Sequence, residues 1–259
     1  ATAPVDPELI GQRVQELRES GGTIAVAVSP PHAAELAPHA VAAGIELLVI
    51  RGTTVSAEHV SEHGEPLNLK TFIYDLDVPV IVGGCSTYQA ALHLMRTGAA
   101  GVLVGFGGGA AHTTSDVLGI RVPMATAVAE VAEARRDYLD ESQGRYVHVI
   151  ADGSVGSSGS LVKALACGAD AVMIGSVFAR ATDSPGCGWH WGAEAWHGSL
   201  PRGQRKDLGT VGTLEQIMHG PSHTSDGSAN LVGALRKAMA TTGYSDLKEF
   251  QRVEVITSP

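Results

Sequence analysis

The stretch LHLMRTGAAGVLVGFG, residues 92–107, contains the pattern that decides the fold, because a helical segment closes on a glycine and a short apolar run follows it. The same order occurs in HAVAAGIELLVIRG (39–52) and in LVKALACGADAVMIGS (161–176). A glycine at this point suits the left-handed conformation that closes a helix. Nearly continuous apolar runs of this length are typical of strands that are covered on both faces.

Three further apolar runs alternate with these: GTIAVAVS (22–29), VPVIVGG (78–84) and VHVIADG (147–153). The total is six strands, each followed by a helical segment, and this alternation predicts a parallel α/β sheet. Each run ends in a polar residue or a glycine, at the edge where open α/β sheets and (β/α)8 barrels both place their sites. A barrel needs eight strands, so a count of six leaves both architectures open. The strand-end residues are Ser29, Arg51, Gly83, Gly105, Asp152 and Ser176.

Composition and charge favour a globular protein and argue against a nucleic-acid-binding or membrane-spanning one. The chain has 259 residues, of which 44% are hydrophobic and 17% charged, so a sizeable core is expected. Its net charge of -9 argues against a nucleic-acid partner. No apolar run is long enough to cross a bilayer, and ATAPVDPELIGQ at the start lacks the features of a signal peptide. Three cysteines without paired spacing favour a cytoplasmic protein with free thiols.

Two neighbouring strand ends carry residues that suit a nucleotide. Asp152 and Gly153 end the fifth run, and Gly175 and Ser176 end the sixth. Glycine- and serine-rich βα loops late in a barrel bind phosphate through backbone N–H groups, and an acid beside them suits a ribose diol. The alternative is that both dipeptides form ordinary turns.

The loop VGFGGGAAHTTSDVLG, residues 104–119, is unusually rich in glycine. Glycines permit positive φ angles, so carbonyls or N–H groups can line a ligand or a cation, although a plain connector has the same composition. His112 lies within this loop. It is a candidate general base, and the alternative is an ordinary surface histidine among the eleven in the chain.

The spacing of the cysteines and histidines indicates a metal site or a catalytic thiol less specifically than the loops above indicate a ligand site. Cys187, His190 and His197 have a loose metal-ligand spacing, but three tryptophans in the same run favour an aromatic-packed loop. Cys85 follows a strand and is either a thiol nucleophile or a small buried hydrophobe. Cys167 precedes a helix-closing glycine and is interpreted as structural.

Together these pieces resemble the IMP dehydrogenase/GMP reductase family over most of residues 22–250. VLVGFGGGAAHTT resembles the family's catalytic loop VGIGPGSICTT, and VIADG resembles its ribose-binding strand. AVMIGSVFARATDSPG is similar to the phosphate-binding strand, and GTVGTLEQI to the base-contacting loop. The phrases GEPLNLKTFI and YSDLKEFQRVEV resemble an actinobacterial group of IMP dehydrogenase-related paralogues that lacks the regulatory CBS domains.

The resemblance implies a fold. Members of the family are (β/α)8 TIM-type barrels, and the six runs match strands three to eight. We therefore expect an α/β chain in which 1–259 form a single barrel domain that is incomplete at its N-terminus. A flap-like insertion is expected at about 186–228.

The resemblance also implies roles for individual residues. Asp152 matches the carboxylate that holds the ribose, and Gly212 matches a backbone contact to the purine. The phosphate ligands match Gly153, Gly175 and Ser176. Thr114 matches a catalytic-loop threonine. The carbonyl donors to a potassium ion match Gly107 and Gly109.

Several positions depart from the family pattern, and the largest departure is at His112, where the family has its nucleophilic cysteine. The family's thiolate adds to C2 of the purine, so that hydride leaves to NAD, and imidazole is a poorer group in this role. The Arg-Tyr pair of the family's flap has no match between Gly198 and Asn230. Other replacements are Ala110 for a phosphate-binding serine, Ser115 for a glutamine, Val211 for a methionine, Leu208 for a tyrosine and Arg51 for the acid that meets the cofactor's ribose.

These matches imply an IMP dehydrogenase-related protein of purine nucleotide metabolism, whose family reaction is the NAD-dependent oxidation of IMP to XMP. The resemblance implies NAD as cofactor and a homotetramer as assembly. The replacement at His112 predicts that activity is low or lost. Two alternatives are a non-catalytic regulator or partner subunit that binds a purine nucleotide, and an FMN-dependent oxidoreductase barrel.

Overall fold

A computed structural model describes residues 6–52, 55–59, 66–106, 108–192 and 205–256, which divide into two compact units. The first contains the described residues up to Leu103 together with Ala134–Val147. The second contains Val104–Glu133 and the described residues from His148 onward.

The described strands are β1 (Ala25–Val28), β2 (Leu47–Arg51), β3 (Glu58–His59), β4 (Leu67–Asn68), β5 (Val80–Cys85), β6 (Gly101–Val104), β7 (His148–Asp152), β8 (Ala171–Met173), β9 (Trp189–Trp191) and β10 (Arg205–Asp207). The described helices are α1 (Pro7–Arg18), α2 (Ala33–Ala42), α3 (Leu69–Tyr74), α4 (Tyr88–Arg96), α5 (Thr114–Leu118), α6 (Met124–Glu141), α7 (Ser158–Ala166), α8 (Ser176–Ala179), α9 (Leu214–His219), α10 (Leu231–Thr241) and α11 (Leu247–Phe250). A 3-10 turn at Pro30–His32 precedes α2.

Parallel strands form the sheet of the first unit in the order β1–β2–β5–β6. The register pairs Ala25 with Leu47 and Leu48 with Val80. Parallel neighbours need crossover connections, and helices such as α2 and α4 provide them. Leu48 and Ile50 are fully buried, as expected for a strand covered on both faces.

Glycines close the helices that precede three of the strands. Gly44 follows α2, Gly98 follows α4 and Gly168 follows α7, with φ angles of 86°, 99° and 110°. These left-handed values exclude most other residues at low strain, so the prediction of helix-closing glycines in all three repeats is confirmed.

The second unit contains β7 and β8, which are parallel, with Asp152 opposite Met173. Helix α7 connects them and packs against α10, which also packs against α9. An antiparallel ribbon of β9 and β10 follows α8, and it pairs His190 with Lys206. The carboxyl ends of β7 and β8 are therefore level with each other, and the ribbon follows them closely in the chain.

The six predicted parallel strands are all present, but two of them are less covered than expected. Ala25 and Ala27 of β1 are exposed, and Met173 of β8 is 36% exposed. Among the residues that the structure describes, each of these strands has a sheet neighbour on one side only, so part of its surface stays open. Among the described residues, no helix has the length and apolar character needed to cross a membrane. The cytoplasmic location expected from the cysteines stays a prediction.

Candidate functional site

The candidate site lies in the second unit, where β7 and β8 end in residues with little or no side chain. Asp152 is the last residue of β7 and is half-buried, and Gly153 follows it with a φ of 89°. Gly175 and Ser176 follow β8. A ligand that meets these ends can approach the backbone closely, with one carboxylate beside it.

The glycine-rich loop after β6 is pressed against the end of β7. A Cβ atom built on Gly105 would lie 2.6 Å from the carbonyl oxygen of Asp152, and one built on Gly108 would lie 2.3 Å from Oγ of Ser154. The Ser154 N–H donates to the Gly108 carbonyl at 2.8 Å. Gly105 also has a φ of 125°, which other residues rarely adopt. The backbone of the glycine-rich loop therefore packs closely against the end of β7, which carries Asp152.

His112 lies in a tight turn of the same loop. Its N–H donates to the carbonyl of Gly109 at 3.0 Å, and its Cδ2 lies 2.6 Å from the position of a Cβ atom on Gly109. The neighbouring Ala111 is fully buried, whereas His112 is half-buried. The glycine thus gives the imidazole room to fold back over the loop.

Thr114, the predicted catalytic-loop threonine, is the first residue of α5 and is fully buried. Its burial places the side chain inside the fold, with Thr113 as the helix cap before it. No observation assigns it a catalytic role, which stays a prediction.

The β9–β10 ribbon brings a second histidine to the end of β8. Cε1 of His190 lies 3.3 Å from the position of a Cβ atom on Gly175. At the other end of β9, a Cβ atom on Gly192 would lie 2.6 Å from the carbonyl oxygen of Ala111. The ribbon therefore contacts both the end of β8 and the loop that carries His112. The sequence indicated His190 only as a candidate metal ligand.

The imidazole of His112 affects the pKa of His190. Burial, and after it the charge of His112, lowers the pKa of His190 below its ordinary value. His190 is accordingly neutral at neutral pH in this structure.

Gly212, the predicted purine contact, is fixed by its backbone. Its carbonyl accepts the N–H of Thr182 at 2.8 Å, and the preceding Val211 donates to the carbonyl of Arg180 at 3.0 Å. A Cβ atom on Gly212 would lie 2.5 Å from Oε1 of Gln216, which accepts the N–H of Thr213 in a capping box. A larger residue at position 212 would collide with Gln216, so the glycine allows the capping box at the start of α9 to form.

A turn around Asp226 lies within the stretch predicted as a flap-like insertion. Hydrogen bonds from Ser228 and Thr224, and the charge of Arg180, lower the pKa of Asp226 to about 2. The Ser228 N–H and hydroxyl donate to this carboxylate at 3.0 and 2.6 Å. Nε of Arg180 is buried and has no hydrogen-bond partner among the described residues. Sequence patterns gave no signal for this cluster, since serine, threonine and aspartate are ordinary loop residues.

The cysteines have different environments. Cys85 is buried in the first unit and donates to the carbonyl of Leu103 at 3.4 Å, and burial raises its pKa to about 12. This agrees with a small buried hydrophobe and not with a nucleophile. Cys167 ends α7 as expected. Cys187 is exposed, and no metal-binding group of three side chains exists among the described residues. His197, the third residue of that pattern, lies outside them.

The structure thus brings His112, Gly109, Asp152, Gly153 and Gly175 into one unit, linked by the contacts above. Ser176 and Gly212 lie in the same unit. Arg51 ends β2 in the first unit. Gly107 lies outside the described residues, so its predicted role as a potassium ligand has no structural observation.

A model of the IMP dehydrogenase / GMP reductase domain matches residues 14–195. The chain belongs to this family. Within the family, an uncharacterized oxidoreductase of Mycolicibacterium smegmatis is 60% identical over 97% of this chain and 68% of its own length. One from Mycobacterium leprae is 57% identical over 99% of this chain and 69% of its own length.

The family includes more distant relatives whose names state a reaction. The inosine-5'-monophosphate dehydrogenase of Methanocaldococcus jannaschii is 30% identical over 92% of this chain and 51% of its own length. A crystal structure of an IMP dehydrogenase/GMP reductase-like protein from Corynebacterium glutamicum is 53% identical and superposes with a TM-score of 0.89. That match covers 98% of this chain and 66% of the other, so the chain spans about two thirds of this relative. The α/β fold of the TIM-barrel type is therefore confirmed, and the chain is an oxidoreductase-like domain of the IMP dehydrogenase family.

Proposed function

We propose that the chain binds a purine 5′-mononucleotide such as IMP at the carboxyl ends of β7 and β8, and that its NAD-dependent oxidation of IMP is slow or absent. The observation that supports this most strongly is the contact of the glycine loop with the end of β7. Gly105 and Gly108 hold the backbone of 152–154 so closely that only glycine is accommodated. A constraint of this kind preserves the shape of a nucleotide site around Asp152.

The chemistry at the centre of the site is different from that of the family. His112 stands where the family has a cysteine, and a neutral imidazole nitrogen is a poorer group to add to C2 of a purine and to leave afterwards. Histidine can still act as a general base toward water. We therefore infer retained binding and impaired dehydrogenation.

The residues at the expected NAD and potassium positions fit these cofactors less well than the residues at the ends of β7 and β8 fit a nucleotide. Arg51 stands where the family has an acid that meets the ribose of NAD, and a guanidinium donates hydrogen bonds but accepts none. At that position the chain therefore offers no side-chain acceptor for the ribose hydroxyls of NAD. The carbonyl of Gly109 already accepts the N–H of His112, so only its second lone pair fits a potassium ion. A potassium ion at the carbonyl of Gly109 is therefore a proposal that uses this one remaining lone pair.

A thermal-shift screen with IMP, GMP, XMP, NAD and FMN tests the proposal, because a ligand of the native state raises the melting temperature. We expect a rise with at least one purine mononucleotide and none with FMN. A shift with FMN alone, in a protein that is yellow when purified, would establish the flavin alternative in its place.

A homotetramer is proposed on the family resemblance. It has a second support in Trp189 and Trp191 of β9, which are 37% and 57% exposed and would be covered in an assembly. Light scattering on the protein is expected to give four subunits, and a monomer would contradict the proposal.

A further inference from the structure

The β9–β10 ribbon supplies a side chain to the end of β8 that no family motif assigns. We propose that His190 contacts the phosphate of the bound nucleotide and takes up a proton as the nucleotide binds. This inference rests on the proposed nucleotide site. It adds a pH-dependent contact to that site.

The ribbon has two different faces. Trp189 and Trp191 carry the exposed aromatic rings, and the guanidinium carbon of Arg205 lies 4.1 Å from the centroid of Trp189 and 5.8 Å from that of Trp191. This cation–π stacking stabilises the outer face. Side chains alternate along a strand, so His190 projects from the opposite face, where Cε1 lies 3.3 Å from the Cβ position of Gly175.

A phosphate at the end of β8 needs hydrogen-bond donors, and this chain lacks two of the side-chain donors that the family uses. Ala110 and Leu208 stand where the family has a serine and a tyrosine, and neither side chain can donate a hydrogen bond. The imidazole of His190 places Cε1 3.3 Å from the position of a Cβ atom on Gly175, so a polar side chain lies beside the end of β8. Once protonated, both of its nitrogens donate.

The charged groups around His190 are few among the described residues. Helix α8, which packs against β9, carries no titratable side chain, and the loop that contacts Gly192 contributes His112. Strand β10 contributes Arg205, Lys206 and Asp207, of which Lys206 is directly opposite His190. Opposite residues of an antiparallel pair project from the same face, so Lys206 adds positive charge on the side of Gly175.

The direction of the proton transfer follows from these surroundings. In the free protein, burial and the charge of His112 lower the pKa of His190, so the ring is neutral at neutral pH. A phosphate dianion in contact with the ring favours its charged form and raises that pKa. The complex therefore holds more protons than its separate components, and affinity increases as the pH falls from about 8 to about 7.

Calorimetric titration of the protein with IMP measures this linkage directly. Titrations in buffers of different ionisation enthalpy give the number of protons taken up, because each proton adds the buffer's heat to the observed heat. We expect an uptake of about one half proton, which corresponds to an affinity about threefold higher at pH 7 than at pH 8. The phosphate itself stays mostly dianionic in this range, since its second pKa is about 6.

The variant His190→Asn removes the titration but keeps a side chain that donates hydrogen bonds, and His219→Asn is the matched control. His219 is an exposed histidine in the last turn of α9. We expect His190→Asn to bind IMP without proton uptake and with the same affinity at both pH values, and the control to behave like the wild type. A melting temperature within a few degrees of the wild type shows that the variant is folded.

The outcomes separate this inference from the proposed function. IMP binding with no proton uptake in the wild type, or with equal uptake in His190→Asn, overturns the role of His190 and leaves the nucleotide site standing. Absence of binding by IMP, GMP and XMP in all three proteins overturns the nucleotide site, and this inference with it.

Discussion

Wild-type protein is expected to form NADH from IMP and NAD at a rate at least about 10⁴-fold below that of a relative with the cysteine nucleophile. The family chemistry needs a sulfur that adds to C2 of the purine and later leaves by hydrolysis. His112 offers an imidazole nitrogen at that position, in a turn closed by the hydrogen bond from its backbone N–H to the carbonyl of Gly109. NADH absorbance follows the reaction, and robust turnover by the wild type would mean that His112 or another group is an effective catalyst.

Restoring the thiol alone is expected to restore little of this rate. The variant His112→Cys regains a nucleophile, but the sequence contains no match for the Arg-Tyr pair that activates water in the family, so hydrolysis of the adduct stays impaired. Robust NADH formation by this variant, but not by the wild type, would show that the water-activating groups are present in another part of the chain.

Thiol labelling verifies that the new cysteine is accessible. Cys187 is exposed and would react in any background, so the comparison uses Cys187→Ser throughout. Burial raises the pKa of Cys85 to about 12 and leaves its thiol protonated. His219→Cys, on the exposed end of α9, is the matched positive control for labelling.

Replacing Gly105 by alanine is expected to destabilise the protein by about 3 kcal/mol, or about 10 °C in melting temperature. The new Cβ atom would lie 2.6 Å from the carbonyl oxygen of Asp152 and 2.6 Å from Cε of Met124. The methionine can move, but the carbonyl belongs to the end of β7. Its displacement is expected to weaken nucleotide binding as well.

The control for this effect is Gly144→Ala. Gly144 has a φ of 112°, close to the 125° of Gly105, but a Cβ atom there would meet nothing within 4 Å. The control therefore carries the backbone strain without the contact, and a cost of about 1–2 kcal/mol is expected. Thermal melts compare the two, and equal losses would show that the contact with Asp152 contributes nothing.

The parallel strands could be predicted because their signals are local. Each helix-closing glycine and the apolar run after it lie within about fifteen residues, and Gly44, Gly98 and Gly168 all adopt the expected left-handed conformation. The same pattern also predicted where the strands end. It placed Asp152 at the end of β7 and Gly175 just after β8. The exposure of β1 and β8 could not be inferred from their composition, because it depends on how many neighbours each strand has.

The ribbon and its histidine could not be predicted in the same way. Each strand has three residues, and Arg205–Asp207 contains no apolar side chain, so no hydrophobic alternation marks the pair. Stacking of Arg205 on Trp189 stabilises it instead. The contact of His190 with Gly175 joins residues fifteen positions apart through side-chain packing, and no spacing rule encodes it. With hindsight, the alternation of Trp189, His190 and Trp191 was the available signal.

The central claim is a purine-nucleotide site at the end of β7, and titration of wild type and Asp152→Asn with IMP tests it most directly. We predict binding no tighter than micromolar in the wild type, because the side chains of Ala110 and Leu208 cannot donate hydrogen bonds to the phosphate. We also expect at least about tenfold weaker binding in Asp152→Asn, since a hydrogen bond to a charged group contributes about 1.5–3 kcal/mol. Asp140→Asn, at an exposed position of α6, is the control and should bind like the wild type. Equal affinity in the wild type and Asp152→Asn, or no binding of any purine mononucleotide by the wild type, would contradict the claim.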